Sequence, residues 1–108
     1  MAAVLERERL ARLPGWEIVS TGLADVAAGR LTPAACAVWI ASPRLRAIGL
    51  LDDTTARPIT DPERVLYGLL RKEPGDPYSR YNALLRRLMR FERALDREVT
   101  ASPNSPAG

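Results

Sequence analysis

PYSRYNALLRRLMRFERALDREV, residues 77–99, decides the fold. Tyr81, Leu84, Leu88, Phe91 and Leu95 recur at spacings of three and four, the period that stacks side chains along one side of an α-helix. A half-buried strand would alternate with a period of two, and this stretch does not. At about 100° per residue, Arg86, Arg90, Arg93 and Arg97 share a stripe roughly 60° wide, opposite the apolar one. The stretch therefore reads as a long helix with an oily edge and an arginine edge. Asp76-Pro77 marks its start. An Asp carboxylate accepts hydrogen bonds from the free amides of a first turn, and the following proline has no N–H to leave orphaned.

The same punctuation recurs upstream at Thr32-Pro33, Ser42-Pro43 and Asp61-Pro62, each read as a helix start. Gly29 and Gly49 follow helical patterns and suit left-handed C-terminal caps. Six helical segments result. The first runs from about Ala2 to Leu13, and a short second follows Ser20-Thr21 and stops near Gly29. The third, Pro33 to Ala41, is apolar all round and is the expected central helix. A short fourth covers Pro43 to Ile48. The fifth spans Pro62 to about Arg71, with Val65, Leu66, Leu69 and Leu70 inward, and the sixth is the long one. Leu51 to Thr60 reads as a polar loop holding Asp52, Asp53 and Pro58. The tail ASPNSPAG, residues 101–108, carries no apolar residue larger than alanine and is expected to be disordered. No run of β-branched or aromatic residues alternates with polar ones. The expected architecture is one all-α domain over residues 1–100, a small orthogonal bundle of five or six helices. Its core should also take Trp16, Trp39, Ile40, Ile48, Leu66 and Leu69.

At 108 residues, 46% hydrophobic and 27% charged, the chain has the proportions of one ordinary domain. Its longest apolar run, Ala34 to Ala41, is eight residues, far short of the roughly 20 that span a membrane. The opening MAAVLERERL reaches charge at Glu6 and lacks a signal segment, so a cytoplasmic protein without a membrane partner is expected. Cys36 sits inside the apolar run and reads as an inert core residue. The basic excess is +3, and it is carried by arginine: of the 16 basic residues only Lys72 is a lysine. Ala- and Arg-rich composition with almost no lysine is also what GC-rich coding often produces.

Catalysis finds little to work with. The chain has no histidine, which removes the usual general base and zinc ligand and every Ser-His-Asp or Cys-His arrangement. Cys36 has no flanking base. Gly22 and Gly29 form neither a P-loop nor a dinucleotide fingerprint. Asp52 and Asp53 adjoin in a polar loop, where Asp is favoured for turn formation. No enzyme, cofactor or metal site is expected.

Binding fares better. Arg86/Arg90 and Arg93/Arg97 are like-charged i,i+4 pairs, and only Asp96, at i+3 from Arg93, offsets them. Surface helices usually mix signs, because each like pair costs about 0.2–0.5 kcal/mol. An acidic protein partner would neutralise the stripe, as would nucleic-acid phosphates. Tyr78 and Arg80, at the start of the long helix, could add an anion contact; the plainer reading is that these residues cap and solvate the first turn. Arg44 and Arg46 follow a tight turn after the third helix and outline a weak helix-turn-helix. Its turn is Ser-Pro where glycine is common, and its second helix is short. Self-association through the apolar stripe is a third, minor reading, and the chain alone does not fix its oligomeric state.

SRYNALLRRL and FERAL, between Ser79 and Leu95, together with GLADVAAGRLTP, Gly22 to Pro33, resemble small bacterial helical proteins of uncharacterised function. The likeness covers the central and C-terminal two-thirds of the chain. It transfers no site residue. Small basic helical proteins of this type are often antitoxins or accessory partners of a neighbouring gene product. The expectation is thus a non-enzymatic, antitoxin-like or accessory binding module. It would use Arg86, Arg90, Arg93 and Arg97, with Arg80 and Tyr78, against an acidic protein. The alternative is phosphate binding by the same face, assisted by Arg44 and Arg46.

Overall fold

A computed structural model describes residues 7–52 and 60–100. Residues 1–6 of the expected first helix, 53–59 of the expected loop with Asp53 and Pro58, and the tail 101–108 lie outside the described residues. The elements are α1 (Arg7–Leu10), α2 (Trp16–Ala27), α3 (Pro33–Ile40), α4 (Ser42–Ala47), α5 (Pro62–Arg71) and α6 (Pro77–Thr100), with no strand among the described residues. The chain is a small helical bundle closed by one long C-terminal helix.

Its centre is α3. The sequence PAACAVWI has no polar side, and Ala35 through Trp39 are all buried. A helix apolar all round must be covered all round. α2 and α5 supply most of that cover, and α6 packs against α5, α2 and α3. The α2–α3 crossing is close because Gly22 allows it. A Cβ placed there would lie 2.2 Å from the Ala34 carbonyl oxygen and 2.5 Å from Val38 Cγ2. Leu10, Val19, Val38, Leu45, Leu88, Phe91 and Leu95 fill the main core with essentially no exposure. A second cluster around Cys36, Leu66 and Leu70 continues it toward α5. Trp16 stacks on Phe91, their ring centroids 6.2 Å apart.

Helix ends follow the sequence punctuation in part. Thr32 caps α3, its hydroxyl accepting from Ala35 N at 3.1 Å, and Asp76 caps α6, accepting from Ser79 N at 3.2 Å. Ser42 and Asp61 do not cap. Only Ala41 separates α3 from α4, so Ser42 is already helical and its side chain is buried. Asp61 takes the left-handed region, φ 57° and ψ 61°, and makes no side-chain bond to α5. Gly29 and Gly49 have φ of 73° and 81° and close α2 and α4 in the same manner. Gly29 N donates to Val26 O and Arg30 N to Asp25 O; Gly49 N donates to Arg46 O and Leu50 N to Leu45 O. This paired pattern satisfies carbonyls a helix end would otherwise leave bare. α2 begins at Trp16, ahead of Ser20-Thr21. The Gly15 carbonyl already accepts from Ile18 N and Val19 N, which places Ser20 and Thr21 inside the helix.

Candidate functional site

α6 is 24 residues long, about 36 Å at 1.5 Å per residue. It buries Leu88, Phe91, Ala94 and Leu95, with Tyr81 and Leu84 partly covered. The opposite edge faces outward. Arg86, Arg90, Arg93 and Arg97 are all exposed, spread over about 17 Å of helix. Among the described residues none of the four has a carboxylate within ion-pair distance.

The helix's own acids are engaged elsewhere. Arg44 of α4 donates through Nη1 to both carboxylate oxygens of Asp96 at 2.5 Å, and its Nε lies 3.7 Å from Glu92. Arg9 of α1 donates to Glu98 at 2.8 Å. Asp96, the one acid the sequence offers to offset Arg93, thus serves as an anchor for α4. Partial burial raises the Glu92 carboxyl above its ordinary 4.5, while Arg44 opposes the shift. Arg87, next to Arg86 in sequence, turns to the other side and donates to Glu17 of α2. These cross-helix pairs hold α1, α2 and α4 against α6. The stripe takes no part in them.

The other proposed site residues separate. Arg80 donates to the Pro74 carbonyl at 2.5 Å and lies 3.3 Å from Glu73, so it stabilises the turn into α6. Tyr78 remains 65% exposed. Arg44 is committed to Asp96 and Glu92, and Arg46 donates to the Asp52 carbonyl at 2.9 Å. α4 has six residues and both its arginines are held by the molecule itself, which leaves the α3–α4 pair without a free reading face. Met89, 47% exposed, lies about 60° around the helix from Arg86 and adds an apolar neighbour to the arginine edge. An isolated Met at helical spacing is ordinary core material, so the sequence carries no signal that marks it.

One carboxylate is buried among the described residues. Asp25 of α2 is buried and accepts from Thr32 Oγ1 at 2.6 Å and from Arg30 Nε at 3.0 Å. The Thr32 hydrogen bond, with help from Arg30, holds its pKa below the usual 3.8. Every oxygen has a donor, so Asp25 ties the end of α2 to the cap of α3 and is structural. Cys36 is buried, and desolvation raises its thiol pKa, an environment that suppresses the thiolate. No three His, Cys, Asp or Glu residues gather for a metal among the described residues, and no helix among them is long and apolar enough to cross a membrane.

The fold and this surface define a class: a small helical bundle presenting one long amphipathic helix with an unneutralised basic edge. Compared with known proteins, the chain matches no family model, no curated protein and no solved structure.

Proposed function

We propose that the protein is a non-enzymatic binding module, antitoxin-like or an accessory subunit, that docks an acidic protein partner on the outer edge of α6. One observation carries this reading. Arg86, Arg90, Arg93 and Arg97 outnumber the chain's whole positive excess of +3, yet among the described residues they stand unpaired while nearby acids serve other arginines. Like charges at i,i+4 weaken a helix, and an anionic partner removes that cost.

A protein is the better fit than nucleic acid for two reasons. Exposed Met89 adjoins the arginines, and Arg and Met are among the residues enriched at protein interfaces. Arg44 and Arg46, the cations that would extend a phosphate track, are already occupied.

Replacing all four stripe arginines by glutamate tests the proposal. Tagged wild-type chain from native host extract should retain one stoichiometric acidic protein, and the variant should lose it with its helical circular dichroism intact. If the wild-type chain instead holds a generic duplex with a log affinity–log salt slope of about −3 to −4, as about four phosphate contacts require, the nucleic-acid reading replaces this one.

A further inference from the structure

The chain has three tyrosines, and all of them, Tyr67, Tyr78 and Tyr81, line one open hollow of about 440 Å³ beside the starts of α5 and α6. Asp61, Glu63 and Arg64 complete its margin. Tyr67 and Tyr81 meet edge to face, with centroids 5.6 Å apart and planes at 80°. Aromatic faces carry negative potential and attract cations. The carboxylates add to it. Glu63 has no hydrogen bond or ion pair among the described residues. The Asp61 side chain makes no cap bond to α5 and, among the described residues, keeps only a long 3.9 Å pair with the exposed Arg64. Arg64 offsets one of the two carboxylates, so the lining keeps an excess of one negative charge beside three aromatic rings.

We infer that this hollow receives a cationic side chain, arginine or lysine, from a polypeptide partner. A free ammonium ligand would need a pocket enclosing most of its surface. This one is open, with Tyr78 largely in solvent, and open tyrosine-bearing surface is the composition of protein interfaces. The inference does not depend on the arginine stripe, which shares no residue with the hollow.

The test uses the full chain and blocked tripeptides, with the tyrosine ring signals followed by NMR. Gly-Arg-Gly or Gly-Lys-Gly should move the signals of Tyr67, Tyr78 and Tyr81 saturably, and Gly-Glu-Gly should not. Glu63→Gln should weaken the arginine peptide about two- to five-fold, and Tyr78→Ala by at least as much, as expected for exposed cation–π contacts. Tyr78→Phe should bind like wild type, since the ring face is kept, and the four-arginine variant should also bind unchanged. The absence of any saturable shift overturns the inference, as do equal shifts from the glutamate peptide. Saturation by tetramethylammonium but not by the cationic peptides would mark a small-molecule site and overturn it too.

Discussion

Thr32 joins two helices through one hydroxyl, which accepts from Ala35 N and donates to Asp25. Thr32→Ala removes both bonds and should lower the unfolding free energy by about 1–2 kcal/mol, measured as a urea midpoint shift; Thr32→Ser should restore most of it. Asp25 and Asp76 sit below their ordinary 3.8 in the folded chain. Their contribution to stability is therefore complete above that value and is lost as pH falls through the lower folded values. Glu92 runs the other way. Its raised pKa favours the fold most below 4.5, and that advantage is lost as pH rises through the folded value. Asp25→Asn should flatten the acid side of the stability profile below about pH 4, while Glu92→Gln should steepen it; urea midpoints across pH 2–6 would show both.

At the scale of elements, the glycines on helices separate by their surroundings. Gly22→Ala forces a methyl group into the α3 backbone at 2.2 Å and should cost about 1–3 kcal/mol. Gly68 sits in the middle of α5 with nothing within 4 Å of its would-be Cβ, so Gly68→Ala should stabilise by about 0.5–1 kcal/mol. Thermal midpoints moving in opposite directions would verify the pair. The same scale shows what the sequence disclosed. α5 and α6 were legible because an Asp-Pro step starts each and an uninterrupted 3-4 pattern continues it, and α3 was legible because it has no polar side. The start of α2 was misread, since Ser20 and Thr21 resemble a cap by residue type alone. Ser42 and Asp61 failed as caps for backbone reasons that residue type does not encode. For the site, angular arithmetic placed the arginines on the outer edge. It could not reveal that Asp96 is taken by Arg44, 52 residues away, nor that Tyr67 comes to lie beside Tyr78 and Tyr81.

Over the whole molecule, charge is sorted by task. Arg9, Arg44 and Arg87 stitch the helices to α6, and among the described residues the stripe arginines enter no ion pair. Stability and binding should therefore respond in opposite directions to changes on that edge. Arg90→Glu alone turns the repulsion with Arg86 at i−4 and the proximity to Arg93 at i+3 into attractions, and should raise stability by about 0.3–1 kcal/mol. It should weaken partner retention in the same preparation. An edge kept for docking at the expense of helix stability predicts this divergence, and calorimetry of the variant alongside partner capture measures both halves.

The basic edge is built from guanidinium groups alone, which hold their protons at any physiological pH, and no histidine stands anywhere in the chain. Acidifying the surroundings from neutral toward pH 5 leaves this face electrically unchanged. If a docked partner were released over that interval, the trigger would lie in the partner's own titrating groups or in Glu92, whose carboxyl already sits above its ordinary 4.5.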